Sequence, residues 1–142
     1  MAHIVAGVSG CLMMVDREVF RLTGLLDEEF FFSFEDLHFC LRAARHGFTT
    51  VLAGKALAYH EGGASLDAAS PRRLYFAARN HLLLARRIGP GGRLVSIGRT
   101  WWIVMLNLAH AALWHGGSLS GRLRAVVRGV RDYGTGRFGD GG

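Results

Sequence analysis

Gly24-Leu25-Leu26-Asp27-Glu28-Glu29-Phe30-Phe31-Phe32-Ser33-Phe34-Glu35-Asp36 is the stretch on which the reading of this chain turns. It ends in two adjacent carboxylates set among phenylalanines, with Leu37 and Phe39 just beyond. An ionised carboxylate buried without a partner is costly, so an amide, a cation, a metal or a substrate proton must meet this pair. Ser33 and Asp36 have capping-box spacing, which predicts a helix starting at Ser33 with Asp36 in its first turn. Leu37, Cys40, Leu41 and Ala44 give that helix an apolar stripe, and Gly47 ends it. Free amides and the helix dipole favour a carboxylate there. Asp36 then either completes the cap or stands at the rim of an apolar pocket, able to take a proton from a substrate hydroxyl.

Working outward, residues 5–15 read as a strand with a glycine-rich entry, Ala6-Gly7-Val8-Ser9-Gly10. Asp16 caps a short helix that runs to Thr23 and closes at Gly24. Residues 25–32 read as irregular. Residues 48–52 and 56–59 read as two short strands around Ala53-Gly54-Lys55, and residues 60–67 as a loop. His60, at a strand end, suits either a metal or phosphate contact or a satisfied polar role. His38 lies two residues past Asp36 and points away from it on a helix. Ser70-Pro71 starts a helix to about residue 88, which stops at Gly89-Pro90-Gly91-Gly92. Further helices are expected over about 94–114 and 119–131, before a glycine-rich tail expected to fray. The division is therefore residues 1–68, a helical extension over 69–133, and a flexible tail over 134–142.

The chain has 142 residues, half of them apolar, which allows one modest core and excludes a disordered polymer. Two cysteines, Cys11 and Cys40, lie in apolar runs and predict buried, reduced thiols and a cytoplasmic setting. No secretory signal pattern opens the sequence. The net charge of +6 is uneven. Residues 1–62 carry five basic and eight acidic side chains, whereas residues 63–142 carry twelve arginines and three aspartates. The basic part suits either an anionic partner or a solvated face. Residues 101–114 are apolar except for Asn107 and His110, with tryptophans at both ends. A membrane span needs ~20 residues, so this segment is expected in the core or at a membrane interface. Nucleic acid is not expected as a partner, since no helix-turn-helix, RNP or zinc pattern occurs.

The residues now quoted carry a resemblance. Ser9-Gly10-Cys11, Arg17-Glu18-Val19-Phe20, the Gly24 to Phe31 block, Phe34-Glu35-Asp36, Leu41-Arg42, Gly47 and His60 resemble, in that order, the C-terminal half of family 2 glycosyltransferases. The rhamnosyltransferase-like bacterial members are the kin in question. Tyr75-Phe76-Ala77-Ala78-Arg79-Asn80 is similar to the helix that follows in them. The resemblance covers about residues 7–90. It implies an α/β fold: a partial GT-A-like domain with a short mixed sheet, followed by a C-terminal helical segment. It implies an inverting transferase that moves a sugar from a nucleotide-sugar donor to a saccharide or lipid-linked saccharide acceptor in cell-envelope polysaccharide synthesis. Asp36 maps to the catalytic base and Glu35 to a residue that holds the acceptor or the site geometry. Ser9 and Gly10 map to the donor-sugar passage. His60 maps to the residue near a divalent metal (Mg or Mn) or the diphosphate. Arginines 72, 73 and 79 suit phosphate pairing or a solvated helix face.

Two departures are evident. No Asp-x-Asp motif occurs, and the sequence enters directly at the acceptor-side half, so the chain is expected to be a fragment without the nucleotide-binding half. His38 stands where kin commonly carry a second acid. The edges left by a missing half make a homodimer or a partner chain an expectation. The alternative is a non-catalytic basic fragment that docks on a membrane or a partner, at the inner face of the cell membrane in the first case.

Overall fold

The computed structural model describes residues 1–60, 70–89, 91–114 and 117–141. Strand β1 (Ala2–Ile4) pairs antiparallel with β2 (Val51–Ala53), Ala2 opposite Ala53. Between them lie a single 3-10 turn (Gly10–Leu12), helix α1 (Arg17–Thr23) and helix α2 (Glu35–Arg45). Helices α3 (Pro71–Ile88), α4 (Arg93–Leu113) and α5 (Leu119–Gly134) follow. The described chain is thus mixed α/β, with five helices and one two-stranded sheet, compatible with a partial GT-A-like domain.

Local chemistry sets several boundaries as the sequence predicts. Asp16 accepts from the amide of Glu18 at 2.8 Å and Ser70 from that of Arg72 at 3.2 Å, so both caps form. Gly47 takes φ 85° just past α2, a left-handed turn that glycine adopts without a Cβ clash. Other elements differ. Residues 5–15 form no strand; the pairing falls earlier, at β1, and residues 5–15 wrap α1 and α2 as loop and 3-10 turn. Of the two later strands only Val51–Ala53 forms, because only that segment meets a partner. Ser33 does not cap α2: it sits at φ 68°, the cap position is Phe34 at φ 73°, and no side chain caps the helix. Cys40 is buried, but Cys11 is exposed on the 3-10 turn, where no apolar neighbour covers it.

Three apolar clusters hold the described residues together. Val19, Phe39 and Ala43 join α1 to α2, with Phe20 and Phe48 packed alongside. Leu74, Ala78, Ala111 and Val126 form the centre of the α3–α4–α5 bundle. Phe30, Leu83 and Leu84 bind the two together and gather Leu37, Leu41, Tyr133 and Phe138. Helices α3 and α5 cross very closely at Gly129, where a Cβ would lie 2.4 Å from the Tyr75 carbonyl oxygen. The glycine-rich tail, expected to fray, lies against the fold. The Gly139 amide donates to the Glu29 carbonyl at 3.0 Å, and Arg128 donates to the Gly141 carbonyl at 2.8 Å.

Helix α4 buries one narrow stripe, Ile103, Asn107 and Ala111. Asn107 is satisfied there by the Ile103 carbonyl at 2.8 Å and stands 3.4 Å from His81. The rest of α4 exposes Leu94, Trp101, Trp102, Met105 and Leu113. No helix among the described residues is long and apolar enough to cross a membrane. The boundary anticipated at residues 68 and 69, and most of the 60–67 loop, lie outside the described residues.

Candidate functional site

The aromatic run does not continue into α2 as helix. It forms a loop in which Phe31, Ser33 and Phe34 all have positive φ, at 57°, 68° and 73°. Residues with a Cβ disfavour that region, so something outside the loop must impose it. Helix α3 does so. Phe30 enters the core, Phe31 and Phe32 pack on Phe76, and Phe34 stacks on the His81 ring. Polar atoms of α3 then take the loop carbonyls. The Asn80 amide nitrogen donates to Phe30, Phe32 and Ser33 at 2.7, 2.6 and 3.1 Å. The Arg79 guanidinium donates to the Glu29 and Phe30 carbonyls at 3.2 and 3.1 Å.

Out of this loop α2 begins, with Glu35 and Asp36 as its first two residues. Asp36 Oδ2 accepts the backbone N–H of Gly10 at 2.9 Å, and Oδ1 that of Leu37 at 2.7 Å. The partner that the carboxylate needs is therefore a backbone amide 26 residues away, not Ser33. Ser9 caps the same turn, its hydroxyl accepting from Cys11. Ser9, Gly10 and Asp36, separated in sequence, are thus brought together. A Cβ at residue 10 would meet Asp36 at 3.5 Å, an ordinary contact, so packing against α2 does not itself demand glycine there.

Glu35 faces elsewhere. It lines an open depression of about 780 Å³ with Asp27, Glu28, Glu29, Phe31 and the tail residues Phe138 to Asp140. Its Oε2 is buried without a hydrogen-bond partner among the described residues. Burial, with the Asp36 charge adding to it, pushes the Glu35 carboxyl up from the ordinary value of 4.5, against a hydrogen bond from its own amide. His38 is buried against Phe30, with Nδ1 3.7 Å from Asp27. Burial holds it below the usual imidazole value of 6.5; the Asp27 charge opposes this, and Arg42, Arg87 and Arg45 reinforce it. Arg87 in turn bridges Asp27 at 3.4 Å and Glu29 at 2.5 Å.

One residue read from the sequence, Arg79, stands differently. Expected at a substrate phosphate, Arg79 is wholly buried. Its donors are engaged by Glu29, Phe30, the Asn80 side-chain oxygen and the Tyr75 hydroxyl, and its plane lies against Tyr75 and Phe76. A guanidinium so engaged supports the loop. His60 is exposed, and no group of three metal-ligating side chains exists among the described residues. Asn80 was quoted in the motif of its helix but given no role by the sequence reading. Its signal was present: three adjacent polar residues, Arg79, Asn80 and His81, sit between the apolar runs 74–78 and 82–84 of one helix.

Comparisons with known proteins bear on the family of the chain. The family described as glycosyltransferase like family 2 matches residues 1–81. The dTDP-rhamnosyl transferase RfbF of Shigella flexneri is 32% identical over 82 residues, covering 52% of this chain and 28% of that protein. The chain therefore spans less than a third of the length of that relative. No solved structure matches it.

Proposed function

The chain belongs to glycosyltransferase-like family 2, and from that premise we propose that it is the acceptor-side portion of an inverting sugar transferase with Asp36 as its base. The supporting observation is the Gly10 N–H to Asp36 Oδ2 hydrogen bond. It ties the segment assigned to the donor sugar to the acid assigned to the acceptor. In the step proposed, Asp36 takes the proton of an acceptor hydroxyl. The hydroxyl oxygen attacks the anomeric carbon, and the bond to the diphosphate breaks with its electron pair leaving on the nucleoside diphosphate. The anomeric configuration inverts. Glu35 lines the depression and is placed to hold an acceptor there.

The donor is a nucleotide-sugar, with dTDP-rhamnose the first candidate from the named relative. The acceptor is a saccharide or lipid-linked saccharide of the cell envelope. The described residues do not by themselves fit a divalent metal, since His60 joins no ligand cluster among them, and no step is assigned to one. The test is sugar transfer by the chain with and without Asp36→Asn. Loss of a general base costs about 100-fold or more; transfer unchanged by the substitution would remove Asp36 from that role.

A second reading is carried by α4. Trp101 and Trp102 are 66% and 67% exposed on a face with Leu94, Met105 and Leu113. No Asp or Glu lies between Asp67 and Asp132, a stretch that carries eleven arginines. An apolar, tryptophan-bearing face in an all-basic segment suits an anionic lipid surface. Flotation with anionic vesicles should depend on both tryptophans. Flotation with wild-type transfer absent throughout would favour a docking fragment over an enzyme.

A further inference from the structure

We propose that Arg79 and Asn80 are positioning residues for Asp36, acting through the left-handed loop that precedes it. The inference rests on the reading of Asp36 as the base. Helix α2 has no N-cap side chain, and the local Leu37 N–H to Asp36 Oδ1 bond lies within its first turn, so neither fixes where that turn points. That position is set by the three carbonyls of Phe30, Phe32 and Ser33 on a single Asn80 amide group, and by the Arg79 guanidinium on the Glu29 and Phe30 carbonyls. Both side chains are wholly buried. Their own orientation is locked in turn. Arg79 Nε donates to Asn80 Oδ1 at 2.9 Å, which leaves the Asn80 nitrogen facing the loop. Arg79 also donates to the Tyr75 hydroxyl at 3.3 Å, and that hydroxyl donates to Asp132 of α5 at 2.9 Å. A continuous path thus runs from α5 through α3 to the loop and on to Asp36 and its bond with Gly10. Gly10 itself touches none of the clamp, which makes its amide a remote reporter of the clamp's effect.

The test needs no turnover. The full chain is labelled with nitrogen-15, and the Gly10 amide is followed through the Asp36 titration and by hydrogen exchange. In the wild type the Gly10 shift tracks Asp36. Asn80→Ala is expected to abolish that tracking and to speed Gly10 exchange about 10-fold, with the α3–α5 amides unchanged. Tracking that persists overturns the proposal, as does acceleration shared equally by the bundle amides, which would mark mere support of the fold. Should Asn80→Ala fail to fold, Arg79→Lys, which keeps the charge but loses the planar set of donors to Asn80 and the loop, is judged by the same two readouts. Where transfer is measurable, Asn80→Ala lowers kcat about 100-fold with KM for the donor sugar nucleotide little changed. Failure of Asp36 as the base shows in the Asp36→Asn assay and leaves the Gly10 coupling intact, so the two ideas fail separately.

Discussion

Glu35 and Asp36 are covalent neighbours that live in different surroundings. Both Asp36 oxygens are met by backbone amides, whereas one Glu35 oxygen is buried with nothing to meet it among the described residues. Because burial raises the Glu35 carboxyl, folding favours its neutral form. That contribution is complete below the ordinary value of 4.5 and is lost as the pH rises through the raised folded value. At neutral pH Glu35→Gln should therefore stabilise the chain by roughly 1 kcal/mol, and the gain should vanish near the ordinary carboxylate value. Denaturant midpoints at both pH values check it. His38 and His81 run the other way: burial lowers both, folding favours neutral rings, and their contribution is lost as the pH falls through the lowered values below 6.5. His38→Gln should flatten the loss of stability on the acid side of that value, read by the same midpoints.

At the scale of elements, the start of α2 separates what a sequence can say from what it cannot. The caps at Asp16 and Ser70 were legible because cap chemistry is settled within three residues. Ser33 has the same local pattern, yet its side chain caps nothing, because contacts from α3 about 50 residues away override it. That Ser9, Gly10 and Asp36 come together was legible only through the order of the motif that ties them; the buried task of Arg79 was not, since an arginine in sequence reads as a surface charge. The two readings of Ser33 differ in sign. Were it a cap, Ser33→Gly would cost a few tenths of a kcal/mol. At φ 68° it should instead stabilise by about 1 kcal/mol, by relieving a left-handed residue that bears a Cβ. A thermal melt decides between them.

For the whole molecule, the bundle depends on one glycine. Gly129→Ala sets a methyl 2.4 Å from the Tyr75 carbonyl, which must drive α3 and α5 apart. A loss of about 1–3 kcal/mol is expected, with the Tyr75–Asp132 contact weakened; a variant as stable as the wild type would mean that the helices cross less closely. The tail is expected to matter as well. Phe138 packs with Phe30, Leu83 and Tyr133 around the joint between the two parts of the fold. Phe138→Ala should lower the unfolding free energy by about 2–4 kcal/mol, read as a lower denaturant midpoint, whereas a frayed tail would give no change. The small sheet was the least legible element, because its register links residue 2 to residue 53 and no local signal records such a pairing.

The clamp also has a consequence in time. A ribosome releases the acidic pair well before the helix that shapes its loop, since Asn80 lies 50 residues beyond Phe30. At about 5–20 residues per second, the loop waits roughly 3–10 s for its clamp. During that interval Phe31, Ser33 and Phe34 have no reason to hold positive φ, and four phenylalanines stay uncovered. Gly139, whose amide closes on the Glu29 carbonyl, emerges later still than Asn80. The nascent chain therefore carries its acid early and acquires its geometry late, and a chaperone that shields aromatic segments has its natural client in that gap.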